Sequence, residues 1–316
     1  MLAVEVKKDN EVKVNAPVWS LVIAEYLKNI DVKPRTLETY RKALKQFEQW
    51  ITLYTGNIRP PQKADIIAYK NHLIQNYTDN TVTSYIVAIK GLFKWLASEG
   101  IYKNITDNIV SKNKGQKREF KRKCLSKEQL KAILDNLQGD SLEAKRDYAL
   151  VNLLARTGLR TIEIERANIE DMQQDLGQTY LYVQGKGQNS KNAFVKLNET
   201  ALKPLKEYLQ LRGEKNPIAP LFASISDRNN GGRLTTRSIS RIVKNAMVKV
   251  GIDERELTAH SLRHTAITFS LLGGTQIEEV KEFARHADIN TTLIYAHNID
   301  RRKGQAENSI DSYLGF

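Results

Sequence analysis

A mainly helical chain of two domains, with one small β-hairpin sheet in the second, is the fold this sequence predicts. Three observations predict it. Apolar residues recur at helical spacing from Pro17 to Ser98 without strand-like alternation. The period changes over Thr179–Val183 and Ala193–Leu197, which are runs of apolar, aromatic and β-branched residues. A cationic stretch lies between these regions, and 316 residues suit two domains.

The N-terminal half reads as four helices. Residues 1–16 are polar and predict a flexible N-terminus. From Pro17, the residues Val18, Leu21, Val22, Tyr26 and Leu27 mark a first helix. Pro34 opens a second, because proline suits a first helical turn. Its buried stripe is Leu37, Tyr40, Leu44, Phe47, Trp50 and Ile51. Pro60-Pro61 interrupts. A third helix spans about Lys63 to Asn76. A fourth spans about Asn80 to Ser98, with Tyr85, Ile89, Leu92, Phe93 and Leu96 inward, and Gly100 ends it. This defines a first domain over 17–110 and a basic linker over 111–123.

The second domain covers 124–316. Ser126 and Gln129 form a capping box for its first helix, at 126–137. A helix at 143–156 follows, then the Thr157-Gly158 turn and a further helix from Leu159. The two strands are joined by a turn holding Gly185, Gly187 and Asn189. Helices are expected at about 200–212, 235–250, 258–272, 275–285 and 290–298. A tail, 301–316, closes the chain.

Composition narrows the function. The net charge is +13, which points to a polyanion, nucleic acid being the commonest; a merely soluble basic protein shares that feature. The excess sits early: residues 1–123 hold 22 Lys/Arg against 12 Asp/Glu, and residues 124–316 hold 27 against 24. The single cysteine, Cys124, excludes an internal disulfide and fits a reducing cytoplasm. No membrane span and no apolar signal core are found. In the linker, Lys112, Lys114, Lys117, Arg118, Lys121, Arg122 and Lys123 are broken only by Glu119. Such a run is either a solvated segment or a path for phosphates.

Chemistry concentrates between Thr258 and His297. Thr258 caps a helix carrying His260, Arg263 and His264, and His260 shares a face with Arg263. His286 follows the next helix. Tyr295 lies nine residues on, in a helix opened by Asn290-Thr291-Thr292. Upstream, Arg160 follows the Thr157-Gly158 turn, with Glu163 three residues later. Lys186 sits in the hairpin turn. Singly, each has a plain structural reading: Arg160 a surface ion pair, Lys186 a solvated turn residue, Tyr295 a core tyrosine. The His260/His264 pair has helical metal-ligand spacing. However, Ser261 stands where a zinc-protease helix needs Glu, and Arg263 repels a cation, so no metal is expected.

As an ordered set these residues resemble the tyrosine recombinase, or phage integrase, family. The matching pieces are Thr157-Gly158-Leu159-Arg160 with Glu163, Gly185-Lys186-Gly187, His260-Ser261-Leu262-Arg263-His264, and Arg285-His286 followed by Thr291-Thr292 and Tyr295-Ala296-His297. The likeness covers about residues 17–300. It implies an N-terminal four-helix, SAM-like core-binding domain and an α+β catalytic domain. Together they would clamp duplex DNA.

The resemblance further implies that Tyr295 attacks a DNA phosphodiester, leaving a 3′-phosphotyrosyl bond and releasing a 5′-hydroxyl. Arg160, Arg263 and His286 would stabilise the charge that builds on the phosphate. Lys186 would protonate the leaving oxygen, with Lys191 a weaker candidate, and His260 would assist proton transfer with Tyr295. Glu163 would orient groups in a supporting role, and His264 would pack. No cofactor is implied, because bond energy is conserved in the covalent link.

A homotetramer acting on two double-stranded sites is implied, with an accessory directionality factor as a further partner; the tail either docks on a neighbouring subunit or folds on its own domain. The residues before Pro17 are too few for a further arm-binding domain, which suggests a compact enzyme of a mobile element or of chromosome resolution. Two other readings stand beside this one: DNA relaxation like that of a type IB topoisomerase, and a non-catalytic regulator using 275–297 as a helix-turn-helix.

Overall fold

The structure is a computed structural model that describes residues 19–56, 59–111, 123–185, 188, 190–303 and 313–314. Contacts divide the chain into two compact units, Met1–Lys117 and Arg118–Phe316. Lys112, Lys114, Lys117, Arg118, Lys121, Arg122 and Lys186 lie outside the described residues, as does most of the tail.

The first unit is built from four helices, α1 (Trp19–Asn29), α2 (Pro34–Thr55), α3 (Lys63–Asn76) and α4 (Asp79–Ser98). Pro34 does open α2, and Gly56 ends it in left-handed backbone at φ 59°. The core is aromatic at its centre: Phe47 packs edge-on against Tyr69 at 5.2 Å, and Phe93 lies near Trp19 and Phe47. One stripe differs from expectation. Leu21 is 60% exposed, whereas Trp19 and Ile23 join Val22 and Tyr26 inside. The buried face of α1 is therefore offset from the one the apolar spacing suggests.

The second unit opens with α5 (Lys127–Asn136), α6 (Leu142–Thr157) and α7 (Thr161–Arg166). The Ser126 cap is present: Gln129 N–H donates to its Oγ at 3.1 Å, and Gln129 Oε1 accepts the Ser126 N–H at 2.9 Å. The hairpin is part of a three-stranded antiparallel sheet, β1 (Met172–Asp175), β2 (Gln178–Val183) and β3 (Ala193–Leu197), in order β1-β2-β3. Leu181 pairs with Val195 and Tyr182 with Phe194. Strand β1 is absent from the sequence expectation, because Met-Gln-Gln-Asp carries no apolar alternation; it is a short, largely exposed edge strand.

The remaining helices are α8 (Glu199–Arg212), α9 (Thr236–Lys249), α10 (Ala259–Leu272), α11 (Ile277–Ala284) and α12 (Asn290–Lys303). Helix α6, buried along most of its length, is the hub of the unit; it packs on α8 and α10. Beside the main core, α10, α11 and α12 enclose a small cluster of Ile267, Val280, Ala284 and Tyr295, flanked by Leu271 and Phe283. Among the described residues, no helix is long and apolar enough to cross a membrane. In the tail, Tyr313 and Leu314 are exposed.

Candidate active site

Four separated stretches of the second unit bring their polar side chains to one place. The first is the turn after α6. Gly158 ends that helix at φ 58°, and its N–H donates to the Leu154 carbonyl at 3.2 Å. The left-handed turn throws the chain back so that Arg160 precedes α7. Glu163, in the first turn of α7, accepts the Arg160 backbone N–H at 2.8 Å and Arg160 Nη1 at 2.9 Å. A carboxylate at a helix start also suits the helix dipole.

The second stretch is α10, capped by Thr258 Oγ1, which accepts the His260 N–H at 3.3 Å. Arg263 points inward from this helix. Its Nη1 donates to the Gly158 carbonyl at 2.5 Å and its Nη2 to the Ala284 carbonyl. The third stretch follows α11. Arg285 Nη2 donates to Glu163 Oε2 at 3.0 Å and to the Gly158 carbonyl at 3.2 Å. His286 is half-buried, and its Nδ1 lies 2.9 Å from Thr292 Oγ1.

The fourth stretch is α12. Tyr295 is 1% exposed, and a hydrogen bond of 2.5 Å joins its hydroxyl to His264 Nδ1. Its ring lies 6.3 Å from that of His286, nearly parallel. The structure thus corrects the packing role expected for His264: the ring is buried, yet its nitrogen engages the Tyr295 hydroxyl. His260 is exposed, with its ring 4.8 Å from that of His264. The two histidine rings therefore meet edge to face, with His264 against the tyrosine and His260 toward the surface.

The electrostatics are one-sided. Two guanidiniums, Arg160 and Arg285, share one carboxylate, Glu163, which is fully buried, while a third, Arg263, lies beside them and donates to backbone carbonyls. Burial opposes the charge on Glu163, but Arg285 and Arg160 overcome it and hold the carboxyl below its usual range. Burial, followed by repulsion from Arg160 and Arg285, brings the Arg263 guanidinium down to about 9. The excess positive charge is thus under mutual repulsion, and an anion would relieve it. Arg160, at 25% side-chain exposure, is the most open of the three arginines. Such a cluster can hold phosphate oxygens with forked donors.

Lys191 is occupied elsewhere, because its Nζ lies 2.6 Å from Asp171 Oδ2. Lys123, the described linker cation, pairs with Glu254 at 2.7 Å and Glu256 at 3.7 Å. Among the described residues, no group of three or more His, Cys, Asp or Glu side chains is placed to hold a metal ion. Sequence reasoning missed the contacts of His264 and gave Arg285 no role. The only signal for the latter was its place directly before His286.

Known proteins share this arrangement of elements. The crystal structure of the XerH site-specific recombinase bound to palindromic difH substrate, a post-cleavage complex, matches with a TM-score of 0.77 over 95% of this chain and 98% of its own, at 21% identity. A lambda integrase dimer bound to a COC′ core site matches with a TM-score of 0.66 over 89% and 95%, at 16% identity. At these identities the likeness is one of fold.

The sequence comparisons go further. Tyrosine recombinase XerC of Pelobacter propionicus is 29% identical over 276 residues, covering 86% of this chain and 87% of the relative. Tyrosine recombinase XerC of Pseudomonas syringae pv. tomato is 31% identical over 274 residues, covering 84% and 86%. The phage integrase N-terminal SAM-like domain matches residues 22–102, the four-helix unit. The phage integrase family matches residues 123–302, which hold every side chain of the arginine cluster and Tyr295, and the chain belongs to that family of tyrosine recombinases.

Proposed function

We propose that this recombinase cuts and rejoins duplex DNA at specific sites, with Tyr295 as the nucleophile. The phenol oxygen attacks the scissile phosphorus. The bond to the 5′ oxygen breaks, and a 3′-phosphotyrosyl link conserves the bond energy for rejoining. Arg160, Arg263 and His286 hold the non-bridging oxygens as negative charge builds on them. His264 and His260 take the proton from Tyr295 and pass it outward. Lys186 supplies a proton to the 5′ oxygen, and the pairing of Lys191 with Asp171 supports this choice between the two lysines. Glu163 fixes Arg160. Because Tyr295 is packed in an apolar cluster, α12 must shift for its hydroxyl to reach a phosphate.

The linker cations Lys112, Lys114, Lys117, Arg118, Lys121, Arg122 and Lys123 follow the DNA backbone in this reading. The active assembly is a homotetramer on two sites, assisted by a directionality factor, in the cytoplasm. The observation that carries the proposal is the convergence of two arginines, a histidine and a tyrosine from four separated stretches around an anion-seeking centre. Covalent adducts should form on a nicked suicide substrate built on a site mapped from genomic DNA. Wild-type protein should be trapped on that duplex, whereas Tyr295→Phe should bind it and leave it uncut. Equal adducts from Tyr295→Phe would overturn the assignment, and relaxation of supercoils without any preferred site would favour a topoisomerase.

A further inference from the structure

Arg285 has left-handed backbone, with φ 53° and ψ 48°, a conformation that favours glycine. Among the described residues other than glycine, Asn108 and Leu176 share a positive φ, and neither lies in the site. The Arg285 side chain accounts for its place there. Nη1 donates to the Phe283 carbonyl at 2.8 Å, closing the last turn of α11. Nη2 reaches Glu163 at 3.0 Å and the Gly158 carbonyl at 3.2 Å. In return, Arg160 Nη2 donates to the carbonyl of Arg285 at 3.4 Å. The Gly158 carbonyl is also the partner of Arg263. One guanidinium therefore ties the end of α11 to the turn that carries Arg160. The residue that follows is His286, so the same tie sets where His286 begins. Both Nη atoms of Arg285 are turned to acceptors within the fold, the Phe283 and Gly158 carbonyls and Glu163.

We infer that Arg285 is a positioning residue for strand cleavage: through Glu163 and the Gly158 carbonyl, it aligns Arg160 and His286 on the scissile phosphate without touching DNA. This rests on the function proposed above. The test uses full-length protein and the mapped suicide duplex. Wild type must first form adducts; if it does not, the parent reading fails and this inference falls with it.

Given wild-type cleavage, Arg285→Gly keeps the backbone conformation and removes the tie. Its affinity for the duplex should stay within about twofold, while its single-turnover cleavage rate falls by about a hundredfold, as expected for a misplacement near 1 Å. Guanidinium chloride at low millimolar concentration should raise the variant's rate several-fold and leave wild type unchanged, and urea at the same concentration should do neither.

Wild-type rate in Arg285→Gly, or a loss of rate that guanidinium leaves unmoved, would overturn the inference. Should Arg285→Gly fail to fold, Arg285→Lys decides. It keeps the charge and lacks the fork, so a slow rate with unchanged affinity supports the inference, and wild-type rate sinks it.

Discussion

The Tyr295 hydroxyl lies 2.5 Å from His264 Nδ1, and the His264 ring in turn meets that of His260 at 4.8 Å. The first proton acceptor available to the nucleophile is therefore His264. His264→Ala should slow covalent adduct formation by about a hundredfold or more, the usual value of a positioned acid-base group. His260→Ala should cost less. Single-turnover cleavage of the suicide duplex by the two variants checks the order, and a larger loss for His260→Ala would return the first transfer to that residue.

Sequence alone picks out residues that the structure brings together, but not their contacts. Arg160, Arg263, His286 and Tyr295 stand out because their order and spacing match a family pattern. The helical units are readable because a 3.6-residue period survives in α2 and α4. What is not readable depends on packing across long sequence separations. His264 and Tyr295 are 31 residues apart, and Arg285 and Glu163 are 122 apart. The left-handed turn at Arg285 has no local signal, since arginine does not ordinarily mark one. Strand β1 escapes for the opposite reason: its pairing with β2 holds it, rather than any pattern of its own.

Glu163 offers a test through pH. Glu163→Gln leaves Arg160 and Arg285 without their buried counter-charge, and should cost roughly 3–5 kcal/mol, the usual loss on breaking a buried ion pair. The folded carboxyl titrates below its unfolded value of about 4.3. Its contribution is therefore fully present above that value and lost as pH falls through the folded one. Urea unfolding of both proteins should show a constant gap from about pH 6 to 8 that narrows below about pH 4. A gap that widens in acid would contradict this.

Gly158 links backbone geometry to chemistry. It has φ 58°, and an added Cβ would meet the Phe283 ring at 3.3 Å. Its carbonyl receives donors from both Arg263 and Arg285. Gly158→Ala should cost about 1–2 kcal/mol in backbone strain and should also slow cleavage by displacing that carbonyl. Gly213→Ala is the matched control, because Gly213 has φ 67° and a Cβ added there would meet nothing within 4 Å. It should lose similar stability and cleave at the wild-type rate. Equal rates for the two variants would show that the Gly158 carbonyl does not matter to the reaction.

Lys186 can be tested through the chemistry of the leaving group. A 5′ oxygen leaving from phosphorus needs a proton, since an alkoxide is a poor leaving group, whereas a thiolate leaves without one. Lys186→Ala should therefore cleave an ordinary duplex about a hundredfold or more slowly, within the usual range for general acid catalysis. The same variant should recover near wild-type rate on a duplex with sulfur at the 5′ bridging position. Lys191→Ala should show no such contrast, since Lys191 is paired with Asp171 at 2.6 Å and its loss affects the sheet edge rather than the leaving group. Sulfur rescue of Lys191→Ala, with none for Lys186→Ala, would exchange the two roles. Because the comparison is made within one variant across two substrates, misfolding cannot imitate it.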